Sequence, residues 1–411
     1  MDKDITILRE LAKEFKVITQ KDIQNERKSD WSDLNSLVFK KPLIYIRAYA
    51  INEVLESYGY LKCTDPLFRQ YEYFLRDMIF RDKIGDDYII EPWIKVLPKY
   101  ITPEEMRWGV HIGLGEKTVS HGSAAYSQVI NTEEDINKLK IPVHQIDEQR
   151  TKETYDKINN AIGDIVPVCR SRVPVMNIWS SDISTDICKL RGLEQIMWDI
   201  YDRPEWLHKV LGSMRDGILK VHSEAEEKGD WSLLDHQNQS MPYAKELKPP
   251  TPDSFGAKRK DLWFFMAAQE FTGIGPEQFE EFLLNYQIPI LKKFGLTAYG
   301  CCEDMTQKID VIKKIPNLRR IAVTPWSDIE ICSEKIGKDH VLSYRPNPSE
   351  MISKEFDESY IRSYLRKDFE ILKKSNNIFD ITLKDVETVH NKPKNVLRWV
   401  EIVREEIERI F

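Results

Sequence analysis

Short apolar or β-branched runs recur through the chain at intervals that leave room for a helix between them. They are VPVMNIW (173–179), WSLLD (231–235), LWFFMAA (262–268), LTAYGC (296–301), LRRIAVTPW (318–326), HVLSYRP (340–346) and FDITLKD (379–385). Helical spacing fills most of the gaps. In GPEQFEEFLLNYQIPILKKFG (275–295), for example, Phe279, Phe282, Leu283 and Tyr286 fall on one stripe before Gly295 closes it. Strand and helix in alternation predict a parallel sheet, because a parallel neighbour needs a crossover and a helix is the usual one. Such a sheet either closes as a (β/α)8 barrel or stays open and doubly wound. The glycine-rich turn of dinucleotide folds is missing: HIGLGEK (111–117) lacks its third glycine and a clear preceding strand. The fold expected is α/β, a closed (β/α)8 TIM barrel.

Two units are expected, a helical N-terminal extension over 1–40 and the barrel over 41–411. The opening MDKDITILRELAKEFKVI is amphipathic, and SDWSDLNSL reads as a capped helix start or loop. PKNVLRWVEIVREEIERIF (393–411) spaces Val396, Val400 and Val403 as a last barrel helix. Its charged face is solvated or a homodimer contact. A net charge of -7 over 411 residues, with no basic cluster, argues against nucleic acid. No apolar run approaches the ~20 residues that span a bilayer, and no signal peptide opens the chain, so a cytoplasmic protein is expected. Cys63, Cys169, Cys188 and Cys332 are scattered, and reduced thiols are the default.

In a barrel, chemistry sits at the carboxyl ends of the strands. Those ends supply Asp235 and His236, Gln269 and Glu270, Cys301, Cys302 and Glu303, Trp326 and Asp328, and Ser343, Tyr344 and Arg345. Thiolate, imidazole and carboxylate are the ligand types of zinc, whose catalytic sites use three protein ligands and keep one position open. Alternation along a strand keeps Cys301 and Cys302 from both pointing inward. One cysteine with Glu303 and a ligand such as His236 is therefore the expected metal set. Plainer roles stand beside this one. A cysteine in an apolar run is commonly a small buried hydrophobe, and a glutamate at a strand end is often a helix N-terminal acid. No CxxC or HExxH pattern is present.

These same stretches carry a family likeness. RGLEQIMWDIYDRPEWLHKVL (191–211), LWFFMAAQEFTGIGPEQFEEF (262–282), YGCCEDMTQKIDVIKKIPNLRRIAVTPWSDIE (299–330) and VLSYRPNP (341–348) resemble the uroporphyrinogen decarboxylase superfamily. Within it the chain is similar to the corrinoid-dependent methyltransferases that O-demethylate aryl methyl ethers. The likeness runs from about Lys41 to the carboxyl terminus and implies a (β/α)8 barrel. Decarboxylases of that superfamily carry an arginine-rich RQAGR-type segment for their substrate's many carboxylates, whereas KPLIYIRAYAINEV (41–54) offers only Arg47. Relatives that methylate a thiol carry a His-x-Cys-Gly motif where this chain reads YGCCED. The likeness therefore implies transfer of a methyl group from a small methylated substrate, such as a methoxybenzoate, to cobalt(I) of a corrinoid. The chain has no DxHxxG segment to hold a corrinoid's lower ligand, so a separate corrinoid protein is the partner implied. Methylcorrinoid-to-thiol or -pterin transfer, or a non-catalytic ligand-binding barrel, are the alternatives.

A methyl ether is inert because its leaving group is poor, so something must take up the charge that develops on oxygen. Zinc bound by Cys302 and Glu303, with Cys301 or His236, would do this directly. Glu303, Tyr344 or Asp235 would otherwise act as proton carriers. Trp326, Met266, Phe265 and Asp328 are the expected substrate contacts, and Arg345 is expected to pair a benzoate carboxylate or to bond backbone carbonyls near Pro346 and Pro348.

Overall fold

Eight strands, all parallel within their sheets, follow one another along the chain in a computed structural model that describes residues 3–47, 49–58, 61–113, 126, 128–177 and 180–411. They are β1 (Leu43–Ile46), β2 (Ile94–Val96), β3 (Val168–Arg170), β4 (Trp263–Met266), β5 (Leu296–Tyr299), β6 (Leu318–Val323), β7 (Val341–Tyr344) and β8 (Ile378–Leu383). Six form one sheet in the order β1-β8-β7-β6-β5-β4, and β2 pairs with β3 in a second. This is the circular strand order of a (β/α)8 barrel, with the ladder interrupted between β1 and β2 and between β3 and β4 among the described residues. The expected closure is corrected to that extent.

The last five predicted runs are β4 to β8. WSLLD is not a strand; it begins an irregular segment that lies along β4, where the Gln237 amide donates to the Trp263 carbonyl (3.2 Å). VPVMNIW is irregular over 173–177, and Ile178 and Trp179 lie outside the described residues, as do positions 114–117 of HIGLGEK.

Alternation along the strands sorts side chains into two layers. Ile44, Met266, Tyr299, Tyr344 and Ile381 face the surrounding helices in the main apolar core. Phe265, Ala267, Ala298 and Cys301 form a separate cluster on the inner side. The helical region 276–291 contains a π-helical turn, Glu280–Leu284, ahead of Pro289. Gln287 from this region donates to the carbonyls of Asp182 (2.7 Å) and Ala267 (3.0 Å) and accepts from the Tyr299 hydroxyl (2.5 Å).

The first helix, α1 (Lys3–Thr19), packs against the helix Pro66–Ile84, with Phe15 on Phe74 at 6.0 Å between ring centroids. The second, α2 (Ile23–Asn35), plugs the amino-terminal end of the strands. Trp31 and Leu34 cluster there with Leu43, Tyr45, Val341 and Ile378. The Asn35 amide donates to the carbonyls of Met241 (2.8 Å) and Tyr243 (2.7 Å) and accepts from Arg320, which is ion-paired with Asp380 on β8. This floor leaves the opposite, carboxyl-terminal rim open. Among the described residues no helix is long and apolar enough to cross a membrane.

Candidate active site

Among the described residues, two cavities open at the rim. One, of about 230 Å³, lies over the ends of β5 to β8 and is lined by Cys301, Cys302, Trp326, Arg345, Lys384 and Asp385 among others. The other, of about 550 Å³, lies over β2 and β3 and is lined in part by Lys95, Tyr100, Asn177 and Gln237.

Local chain geometry explains the first cavity. After β5 the chain turns through Gly300 at φ +96, in the left-handed region, where a Cβ would stand 3.2 Å from that of Ala322. That turn ends the pleat, so strict alternation no longer applies beyond it. Cys301 is buried in the inner cluster and Cys302 packs half-buried against the same cluster. Their sulfurs are 3.5 Å apart and both line the cavity, which corrects the expectation that only one would face inward. Lys384, the residue after β8, places its ammonium 3.0 Å from Cys301 Sγ, 3.1 Å from Cys302 Sγ and 2.9 Å from the Asp385 carboxylate.

Charge in this cluster is shared. The hydrogen bond from Cys302, followed by the fields of Arg345 and Lys384, outweighs burial and holds Cys301 well below the ordinary thiol range. The same bond, with burial, pushes Cys302 up, so the pair carries one thiolate. Burial and Arg345 press on the Lys384 ammonium, but the Cys301 thiolate and the bond to Asp385 leave it above its usual value.

Arg345 is also buried. One terminal nitrogen donates to the Cys301 carbonyl, the other to Gln239 Oε1 at 3.0 Å, and Nε has no partner among the described residues. Gln239 Oε1 accepts from Arg47 as well (2.6 Å), while its own buried amide nitrogen has no partner among the described residues. Two guanidiniums thus converge on one amide oxygen, and burial lowers the Arg345 pKa. No carboxylate among the described residues bonds to Arg345.

Several expected site residues have other duties. Glu303 is buried, and its two oxygens accept from the amides of Ala268 (2.8 Å) and Cys301 (2.7 Å). It is a clamp between the ends of β4 and β5 and does not line the cavity; burial raises its pKa against those amide bonds. The Tyr344 hydroxyl donates to Asp368 (2.5 Å) on the outer, helix-facing side, so it cannot reach a substrate at the rim. Met266 is fully buried in that same outer layer, and Phe265 lies beneath the cysteines in the inner cluster. Asp328 caps the helix Ile329–Ile336, accepting from the amides of Glu330 and Ile331. Trp326, 69% exposed, does line the cavity. Asp235 belongs to the other half of the rim, where its carboxylate takes Lys95 Nζ at 2.8 Å and the Ser232 amide and hydroxyl at 2.9 Å. Glu270 accepts from Ser184 (2.9 Å) and Thr185 (3.1 Å).

The residues named for zinc do not fit it as a set. The sulfur separation alone would suit, since two thiolates on tetrahedral zinc stand roughly 3.8 Å apart. Glu303, however, has both oxygens committed to peptide N–H groups. His236 has both ring nitrogens committed, accepting from the Trp263 amide (3.1 Å) and donating to the Lys248 carbonyl (3.0 Å). Lys384 holds the cationic position between the sulfurs. Among the described residues no group of three or more His, Cys, Asp or Glu is placed to hold a metal.

The residues missed by the sequence reading are Lys384, Gln239 and the inward role of Arg47. The signal for Lys384 was present in FDITLKD, where Asp380, Thr382 and Lys384 alternate with Phe379, Ile381 and Leu383.

Solved structures share this fold. A methyltransferase from Methanosarcina mazei superposes with a TM-score of 0.55 over 92% of this chain and 98% of that one, at 11% identity. The likeness is one of fold. No protein-family model and no curated protein sequence matches the chain.

Proposed function

We propose that the chain is a methyltransferase that moves a methyl group from a small methylated carboxylate, most simply a methoxybenzoate, to cobalt(I) of a corrinoid carried by a separate protein. The observation that carries this reading is the buried, carboxylate-free Arg345, whose Nε has no partner among the described residues, lining a cavity with the Lys384 ammonium, the paired cysteines and an exposed tryptophan. The Cys301 sulfur is the nearby negative charge, but no carboxylate bonds the guanidinium, and an unpaired buried N–H is costly; a substrate carboxylate supplies the missing acceptor. Trp326 offers an aromatic wall. The fold shared with a methyltransferase and the likeness of the YGCCED and RPNP stretches support the reaction class.

Lys384 takes the role first considered for Glu303, Tyr344 and Asp235. A phenol and a lysine ammonium have similar ordinary pKa values, near 10; the Cys301 sulfur and Asp385 hold Lys384 above its own, so the proton moves to the departing oxygen as negative charge builds there. The cobalt(I) nucleophile comes from the partner, which covers the rim and keeps water from the reacting carbon. The zinc first considered has no step here.

The test is a screen of methoxylated benzoates, betaines and methylamines against a cobalt(I) corrinoid protein, followed by absorbance. Turnover is expected for donors that carry a carboxylate. Arg345→Met is expected to raise KM for such a donor by about 10- to 100-fold, the worth of a hydrogen bond to a charged group. Turnover confined to methylamines, with KM untouched in that variant, would refute the assignment.

A further inference from the structure

Cys301 lines the cavity proposed to receive the methyl donor, with its sulfur 3.0 Å from the Lys384 ammonium and 3.5 Å from Cys302 Sγ, surroundings that favour its thiolate form. A thiolate bound to a metal shares its electrons with the ion, whereas one that only accepts hydrogen bonds keeps a lone pair for carbon. Lys384 donates to it at 3.0 Å, and Cys302 Sγ stands 3.5 Å away. Thiolates are soft nucleophiles, and displacement at the methyl carbon of an aryl methyl ether is a reaction they perform without a metal. Cys302 shares the cavity and Lys384, but the hydrogen bond with Cys301 and burial push its pKa up; Cys63, Cys169 and Cys332 lie elsewhere, buried and with pKa values raised by burial, and Cys188 is raised as well.

We propose that Cys301 is the first acceptor of the methyl group, forming an S-methylcysteine from which cobalt(I) then takes it. This rests on the methyltransferase reading and specifies its course. In the first step Cys301 Sγ bonds to the methyl carbon, the carbon–oxygen bond breaks, and Lys384 gives a proton to the leaving oxygen, so the products are the S-methyl thioether, the free phenol and neutral Lys384. Solvent returns a proton to Lys384. In the second step cobalt(I) supplies the electron pair for the new cobalt–carbon bond, and the carbon–sulfur pair returns to sulfur as the thiolate, again facing Lys384 and Arg345. Cobalt is oxidised from (I) to (III) by the methyl cation equivalent it accepts. Apart from the solvent proton, no further reactant is needed.

The test needs no knowledge of the natural donor. The full chain, pretreated with a chelator, is exposed to limiting methyl iodide at pH 5.5, where an ordinary thiol is ionised to only about one part in 10³. Peptide mass analysis is expected to place a single 14 Da addition on Cys301, about tenfold ahead of any other cysteine; the lower nucleophilicity of a low-pKa thiolate offsets part of its larger ionised fraction. Mixing the methylated protein with cob(I)alamin is then expected to remove the 14 Da and yield methylcobalamin. Labelling elsewhere, labelling only with added zinc, or a thioether that cob(I)alamin leaves intact would overturn the proposal. Cys301→Ser separates the two levels of the account. Retained transfer from a carboxylate donor to cobalt in that variant, with its circular dichroism unchanged, would mean direct transfer and would remove the relay while leaving the proposed function standing.

Discussion

Lys384 governs what the paired cysteines can be, because an ammonium within 3.1 Å of both sulfurs favours a thiolate between them. Replacing it by methionine keeps length and apolar stem while removing the charge. Lys384→Met is expected to move the pH midpoint of Cys301 alkylation upward and to cut methyl transfer by about 10²- to 10³-fold, the usual worth of a positioned acid. An unchanged alkylation profile would show that the ammonium does not hold the thiolate. The cysteines were legible in the sequence as an unusual pair, but their partner lies more than eighty positions away, just after β8, and a lone lysine at a strand end looks like any solvated charge. Glu303 was conspicuous for the opposite reason. A glutamate beside cysteines suggests a ligand, yet both oxygens are spent on peptide N–H groups, one just after β4 and one in the turn after β5.

At the scale of elements, the turn after β5 is what brings both cysteines to one cavity. Gly300→Ala places a side chain in the left-handed region and against Ala322, a cost of about 1–2 kcal/mol. Urea denaturation of this variant is expected to show that loss together with faster alkylation of Cys302 relative to Cys301; native stability and an unaltered ratio would argue that the turn tolerates a Cβ. Strands β4 to β8 were readable because each is a run of four to six residues whose apolar character stands out from its neighbours. The three-residue strands β2 and β3 are too short to show a period, and WSLLD, apolar enough for a strand, instead starts an irregular segment held to β4 by one backbone bond. The helix Lys394–Ile410 buries Val396, Val400 and Val403 as their spacing predicted.

For the molecule as a whole, stability should depend on acid in a definite direction. His222 is fully buried among Trp231, Phe264 and Phe294, and burial lowers its pKa to about 3; His236 is lowered to about 4, also mainly by burial. Both stay neutral in the folded chain down to those values, while in the unfolded chain they take up protons below about 6.5. The unfolded state therefore binds more protons between 6.5 and 4, and stability falls as pH falls through that window, by about 2 kcal/mol per histidine at pH 5. His236→Gln is expected to flatten the decline of Tm between pH 7 and pH 5, and a decline as steep as that of the parent would exclude His236 as a cause. The alternation of periods made the strand order legible across most of the chain, whereas the two interruptions of the ladder depend on short strands that carry no such pattern. The most direct measurement of the central claim, that the rim over β5 to β8 is where a methyl group leaves a carboxylate-bearing donor, is the absorbance of a cobalt(I) corrinoid protein mixed with this chain and a methoxybenzoate. The account predicts conversion to methylcobalt(III) with the parent chain and its loss in Lys384→Met; no conversion with any carboxylate-bearing donor, or equal rates in parent and variant, would contradict it.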